Sequence, residues 1–382
     1  MSSQLPAAIS RLERWYVERA LPLWARAGAD ASGAFYESLD FSGAPVTGQQ
    51  RRVRVQCRQI HTFTQAALRG WLPKGEEIAA RGFSRLIETA CPTVAARGCV
   101  HTIDDAGAVV DAKRDLYDQA FLLLACAARL KATNDRTARE VAEKTLAFLD
   151  AELHSSHGGY LEDDRGAMPR RQNPHMHLFE ATMALYDATG EAAHLSRARA
   201  IEQLFNIRFL DRNHGVLREF FEGDWTLDPA RGAAVEPGHM VEWTFLLDRF
   251  EALTGEDRSE EKRLLFRAAT EMTAPGDAPF LPNCVTLGAP RARSARRLWP
   301  QTEALKAALT FAANGDDAAG AYAAALIDAL FKSYLDQNVA GLWCDDYDAG
   351  GRPAAKDVPA SILYHLHEAV SCAAECRHRL TP

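Results

Sequence analysis

A short motif, glycine followed by aromatic or β-branched residues, returns along this chain at a nearly fixed interval. It reads Gly33-Ala34-Phe35-Tyr36, Gly98-Cys99-Val100-His101, Gly158-Gly159-Tyr160-Leu161, Gly215-Val216-Leu217-Arg218 and Gly341-Leu342-Trp343-Cys344. The first glycines fall 65, 60, 57 and 126 residues apart, the last being twice 63. A copy without its glycine fits the gap, at Pro279-Phe280-Leu281. Between the motifs, apolar residues recur at spacings of three and four, as in Leu12, Trp15, Tyr16 and Leu23, or Leu116, Ala120, Leu123, Leu124 and Ala127, or Leu363, Leu366, Val370 and Ala374. These stretches are filled with the good helix formers Ala, Leu, Glu and Arg. The spacing predicts twelve helices, over 5–27, 50–70, 74–96, 112–132, 135–154, 173–189, 191–210, 236–254, 257–273, 299–314, 316–336 and 357–378.

Two helices per interval, six times over, mark a repeat architecture. The period exceeds the roughly 34–47 residues of the common two-helix solenoids. Hairpins this long can close on themselves, with inner helices lining a core and outer helices wrapping it. An open array needs polar terminal repeats, but the first helix carries Trp15, Tyr16, Leu21 and Trp24. The expected fold is therefore all-α: an (α/α)6 barrel, a toroid of six helical hairpins with short extended segments in the mouth loops, forming a single domain over 1–382. An open α-solenoid scaffold is the alternative.

Composition removes several function classes. With 44 Lys and Arg against 51 Asp and Glu, the net charge is −7, which lacks the basic footprint that nucleic-acid binding needs. No run of about 18 apolar residues suggests a membrane span. Met1 to Leu12 lack the basic and apolar regions of a secretory signal. None of the eight cysteines forms a CxxC pair, and most sit in apolar stretches, as small buried hydrophobes do in a reducing compartment. A soluble, cytoplasmic protein is expected; monomer and homodimer both remain open.

Polar, titratable residues gather near the starts of the even-numbered helices. In Val55-Gln56-Cys57-Arg58-Gln59, Arg58 is surrounded by apolar neighbours, and a guanidinium there needs a partner or a ligand oxygen. In Asn173-Pro174-His175-Met176-His177, Asn173 is a suitable N-cap with Pro174 behind it. His177 shares a face with Asn173 and Glu180, whereas His175 points elsewhere. His239 and Glu242 stand at i, i+3, where a carboxylate fixes an imidazole's tautomer and raises its basicity; an acid/base pair is preferred over a metal. Of His365 and His367 only one can face inward. Trp299, with Gln301 and Glu303 beside it, and Trp343 offer aromatic faces of the kind that suit the C–H faces of sugar rings. Each of these residues has a bland reading as a satisfied core group. Their joint placement at one level of different hairpins suggests one pocket. The basic run Arg291, Arg293, Arg296 and Arg297 reads as a solvated loop, with binding of an anionic sugar as the alternative. A glycoside hydrolase on the same barrel would use two carboxylates, with candidates at Asp104-Asp105, Asp163-Asp164 and Asp345-Asp346.

The stretches around Arg58, His177, His239, Trp299-Pro300-Gln301-Thr302-Glu303 and Pro359 through His365 resemble the N-acylglucosamine 2-epimerase family, which includes bacterial mannose isomerases and cellobiose 2-epimerases. The resemblance spans nearly the whole chain and implies an (α/α)6 barrel. It also implies a catalytic Arg58, active-site histidines His177, His239 and His365, and a carboxylate at Glu242 beside His239. Trp299 and Trp343 would stack on the sugar, and Tyr117, Asn173 and Glu303 would contact it. It implies no metal and no redox cofactor, and a small monosaccharide as the partner. The segments around His177 and His365 are most similar to the mannose isomerase branch. The expected reaction is therefore interconversion of D-mannose and D-fructose through ring opening and a cis-enediolate, with His365 as the C1/C2 base. His239, oriented by Glu242, would serve ring opening or the second face. A sugar 2-epimerase on the same site is the alternative.

Overall fold

The computed structural model describes residues 4–91 and 97–380. Its first helix is one continuous rod over residues 4–27: α1 (Gln4–Trp15) passes through a π turn at Tyr16–Ala20 into α2 (Leu21–Ala27). There follow α3 (Val53–Leu68), α4 (Gly75–Ala90), α5 (Leu116–Thr133), α6 (Arg136–Phe148), α7 (Gln172–Thr189) and α8 (Ala192–Leu204). The last five are α9 (Pro237–Thr254), α10 (Ser259–Glu271), α11 (Leu298–Ala313), α12 (Asp317–Leu330) and α13 (Ser361–Leu380). With α1 and α2 taken as one rod, the described residues form twelve helices in the expected order. The expected end of the third helix, 92–96, lies outside the described residues.

Inner helices α3, α5, α7, α9, α11 and α13 pack side by side in that order, and α13 closes onto α3. Each of α4, α6, α8, α10 and α12 packs on the inner helix before it, while α1 packs on α13 and α12. The chain's first helix is thus the outer partner of its last, and the ring is shut: this is an (α/α)6 barrel, not an open solenoid. Inner α5 is buried on all sides, from Leu116 through Leu130 with Tyr117 the one half-exposed position. Outer α4 and α10 bury a single stripe, as helices between core and solvent do.

The recurring motif has a physical cause. Near the start of an inner helix, a polar side chain pins the extended piece of its own repeat. Gln56 accepts from the Phe35 N–H at 2.7 Å and donates to its carbonyl at 2.8 Å. Gln119 holds Cys99 in the same way, with both bonds at 2.9 Å. Gln301 holds Leu281, at 2.8 and 2.9 Å, so the copy without a glycine is a true repeat. His175 Nε2 accepts from the Tyr160 N–H at 2.9 Å. Gly98 and Gly159 sit at positive φ (64° and 65°), and a Cβ there would collide with Gln119 or His175.

Pairs of residues just ahead of the inner helices form short antiparallel strands with neighbouring loops: Arg51–Arg52 with Thr102–Ile103, Arg170–Arg171 with Phe220–Phe221, and Arg296–Arg297 with Asp346–Tyr347. Three inner helices begin a few residues later than the spacing suggests, at Val53, Leu116 and Ser361 instead of 50, 112 and 357, while the other three begin within one residue of it. Asn173 is not an N-cap, because α7 starts one residue early at Gln172 and Asn173 lies inside its first turn. The arginines of these strands are tied to carboxylates, Arg52 to Glu37, Arg171 to Glu162 and Arg297 to Asp345. The starts of the inner helices are thereby fixed around one mouth.

Candidate active site

Three imidazoles at this mouth are built alike. Each is held at Nδ1 by a carboxylate: His177 by Glu180 at 3.1 Å, His239 by Glu219 at 3.0 Å and His365 by Glu303 at 2.7 Å. An ionised carboxylate only accepts, so Nδ1 carries the hydrogen and Nε2 is left for chemistry. Around His177 Nε2 stand the Tyr117 hydroxyl at 3.4 Å and Glu242 Oε1 at 3.9 Å.

The groups between these histidines form a continuous lining. His177 packs on Phe121 and Tyr117, with ring centroids 4.6 and 5.0 Å apart. The Arg58 guanidinium lies 4.3 Å over Phe121 and 5.3 Å from Tyr364, and donates to the Tyr117 hydroxyl at 2.9 Å. Tyr364 meets His365 at 5.0 Å, His365 meets Trp299 at 5.9 Å, and Trp299 meets His239 at 5.0 Å. Trp299 comes this close because Gly238 has no side chain; a Cβ there would strike its ring. All six inner helices contribute. Among the described residues Arg58 has no carboxylate partner, and its Nε, Asn173 Oδ1 and Glu219 Oε1 are buried polar atoms without a hydrogen bond. Such atoms cost stability unless a ligand or water satisfies them.

The histidines differ in charge. Burial holds His365 well below its ordinary pKa, helped by Arg58 and Lys306, so the ring is neutral at pH 7. Burial also lowers His177, against the pull of Glu180, to about 4. Burial opposes charge on His239 too, but Glu219 and Glu236 outweigh it and raise the ring to about 10. His239 is therefore an imidazolium flanked by two neutral imidazoles. Burial and the neighbouring Glu303 push Glu242 upward, which favours its protonated form. Lys306 lies 2.6 Å from Glu303, and its ammonium is stabilised by the surrounding carboxylates.

Donor atoms of Glu219, Glu236 and His239, and of Glu242, Glu303 and His365, each lie within 4.8 Å of one another, the spacing of a metal site. In the second group the Lys306 ammonium already occupies Glu303. In the first, His239 Nδ1 already donates to Glu219. In each set a protonated nitrogen thus already engages one carboxylate.

Arg58, His177, His239, His365, Glu242, Tyr117, Asn173, Trp299 and Glu303 all come from the mouth-side ends of inner helices. Two expectations need correction. Glu242 does not orient His239: that ring is turned to Glu219, while Glu242 faces His177. Trp343 offers no face to a ligand, since it is fully buried and stacked on Trp24 of α2, centroids 4.9 Å apart and planes 14° apart. Neither His175 nor His367 joins the mouth: His175 Nε2 accepts from the Tyr160 N–H, and His367 Nδ1 meets the Tyr16 hydroxyl at 2.9 Å while its ring borders the barrel interior below. Asp104 and Asp163 cap their own turns, Asp105 binds Arg51, Asp164 binds Arg97, and Asp345 binds Arg297. Five of the six carboxylates nominated for glycoside hydrolysis thus hold the loops; the sixth, Asp346, has a buried Oδ1 without a hydrogen bond. Arg293 pairs with Asp277, and Arg296 is spent on the Phe280, Tyr347 and Tyr334 rings.

Glu219, Glu236 and Lys306 were not expected. Lys306 had a signal: with Glu303 it forms a lone i, i+3 charge pair in the otherwise apolar α11. Glu219 had only its place beside the apolar pair Phe220-Phe221.

The profile of the N-acylglucosamine 2-epimerase (GlcNAc 2-epimerase) family matches residues 33–369. The chain belongs to this family. A mannose-6-phosphate isomerase of Rhizobium meliloti is 35% identical over 395 residues, covering 100% of both chains. A D-mannose isomerase of Thermobifida fusca is 29% identical over 59% of each. Among solved structures, a cellobiose 2-epimerase from Spirochaeta thermophila superposes with a TM-score of 0.87 at 23% identity, covering 99% of this chain and 98% of that one. Members of the N-acylglucosamine 2-epimerase family are sugar isomerases and epimerases, and this chain is an enzyme of that kind. No helix among its described residues is long and apolar enough to cross a membrane.

Proposed function

We propose that the protein interconverts D-mannose and D-fructose at this mouth, the barrel acting as one catalytic domain in the cytoplasm. The observation that carries the reading is the split in protonation across Trp299: a neutral His365 on one side of the ring and a charged His239 on the other. An aldose–ketose shift needs a base for the C2 proton and an acid for ring opening, and the two are already separated here.

The steps balance without a cofactor. His239 gives its Nε2 proton to the ring oxygen as the O1 proton passes to neutral His177, and the hemiacetal opens to the aldehyde. His365 Nε2 then takes the C2 proton. The C–H electrons form the C1=C2 bond, and negative charge gathers on O1, where the Arg58 guanidinium meets it in a water-poor site. The protonated Glu242 gives O1 a proton and takes the one on O2, and His365 returns its proton to C1, leaving a ketone at C2. Ring closure of the ketose reverses the exchange between His239 and His177. An unphosphorylated sugar is favoured because Arg52, Arg54, Arg171 and Arg297 around the mouth are each paired with a carboxylate. Eight free cysteines, most of them buried, support the reducing compartment.

Incubation with D-mannose in D2O, followed by NMR, tests the reading. Fructose carrying deuterium at C1 is the expected product. Deuterated glucose formed ahead of any ketose points to 2-epimerisation instead. Turnover of mannose 6-phosphate but not of mannose overturns the choice of a neutral sugar.

A further inference from the structure

Directly beneath the mouth, at the other end of the barrel axis, a second cavity of about 290 Å³ is lined by all six inner helices. That is close to the lower bound of roughly 300 Å³ for small-molecule sites. On the α3 and α13 side stand His61, Gln65, His367, Glu368 and Ser371; the other side offers the apolar Leu124, Ala127, Ala184, Phe245 and Leu309, interspersed with charged residues that include Glu180 and Asp248.

The polar wall is unusually short of partners. His61 Nδ1, His367 Nε2 and Ser371 Oγ are buried with no hydrogen bond, although each residue is more than nine-tenths buried. Nor does the half-buried Gln65 amide make any side-chain bond. The lining carboxylates, in contrast, are all engaged: Glu180 by His177 and Tyr364, Glu368 by His61, Asp187 by Lys131, Asp248 by Lys262 and Glu375 by Arg69. What the deeply buried wall leaves to recognise is therefore neutral, hydroxyl-sized hydrogen-bonding groups facing C–H surface, while the guanidiniums of Arg249 and Arg379, for which no carboxylate partner stands among the described residues, lie on the more exposed part of the lining.

We propose that this far cavity is a second binding site, for a neutral polyol the size of a hexose, and that its occupancy is felt at the mouth through Glu180. Hydroxyls of the ligand satisfy Ser371, Gln65 and the two imidazole nitrogens, while its carbon skeleton lies against Phe245 and Leu309. Glu180 lines the cavity and also holds Nδ1 of His177. A ligand that reorients this carboxylate changes how His177 is presented. The site rests on the lining of the far cavity alone and stands whether or not the mouth isomerises mannose.

D-Mannitol, a hexitol with no carbonyl to react, is the probe. Calorimetric titration of the full chain is expected to give two molecules per chain. Arg58→Ala, which disables the mouth, is expected to keep one, and Ser371→Leu, which fills the far cavity, to keep the other. With whichever sugar the enzyme turns over, mannitol should inhibit the wild type in mixed fashion and Ser371→Leu competitively. Gln65→Leu serves as a second block if Ser371→Leu fails to fold, and a crystal soaked in mannitol locates the molecules directly. A stoichiometry of one that Arg58→Ala abolishes and Ser371→Leu preserves, or density at the mouth alone, overturns the proposal.

Discussion

Glu219 Oε2 stands 3.0 Å from Nδ1 of His239, reaching it from the loop ahead of α9 and not from the helix that carries the histidine. This contact keeps His239 charged across the physiological range, with the ring raised to about 10. The enzyme's kcat/KM should hold level through neutral pH and fall only as pH rises through about 10. Glu219→Gln removes a negative charge, so the alkaline limb should move down by at least one pH unit. A limb that stays in place under that substitution shows that His239 is not the acid.

His365→Ala should lower kcat by roughly 10²–10⁴-fold, the range for loss of a general base. Exchange of deuterium into C1 of the product should fall in parallel. Near-normal turnover in the variant, measured by fructose formation, removes His365 from the proton path.

Lys306 is buried against Glu303, with Glu242 and Glu180 contributing to its field. Lys306→Met leaves these carboxyl groups without their cation, which for a buried pair costs on the order of 3–5 kcal/mol. Denaturant unfolding should show this loss. Replacing Glu303 and Lys306 together by Gln and Met should recover part of it, because no uncompensated charge then remains.

The two tryptophans expected to stack on a sugar should separate cleanly. Trp343→Ala removes a core ring stacked on Trp24 and should cost about 3–5 kcal/mol of stability, with KM unchanged. Trp299→Ala, at the half-buried position between His239 and His365, should raise KM several-fold with a smaller loss of stability. Chemical denaturation and initial-rate kinetics on both variants read the difference.

Stability should fall on both sides of neutrality. His175 and His367, held to about 3, and His177, held to about 4, stay unprotonated in the folded protein while the unfolded chain takes up protons below its ordinary histidine pKa near 6.5. Unfolding then binds protons, so stability drops as pH falls from 6.5 towards 4. His239 runs the other way. Its contribution is complete below 6.5 and is lost as pH rises through about 10. Thermal melting across pH 4–10 should trace this dome, with the acid flank shallower in His175→Gln if that variant retains the fold.

The architecture was legible because the repeat is written in residues with one job. Glycines that must leave room for Gln119 or His175 cannot drift, so the sixty-residue interval survives even where Pro279-Phe280-Leu281 replaces the glycine. The histidines were legible because they fall at the same level of different inner helices. What helix spacing does not reveal is a partner brought from another segment. An i, i+3 neighbour such as Glu242 looks like the natural companion of His239, yet side-chain direction is decided by the loop that closes over the helix start, and that loop carries Glu219. His177 and Glu180, also i, i+3, do pair, so the same spacing was right once and wrong once. Trp343 was misplaced for a related reason: its motif marks an extended strand, and only the packing of α2 determines which side of that strand is buried.

Because α1 is clasped between α12 and α13, and α13 delivers His365, the two ends of the chain are joined through the reaction centre. On the ribosome, eleven helices can emerge and pair locally while the wall remains breached. Helix α13 both seals the cylinder and carries His365 to the mouth, so a product that stops before it is expected to lose the closed wall and the proposed base together.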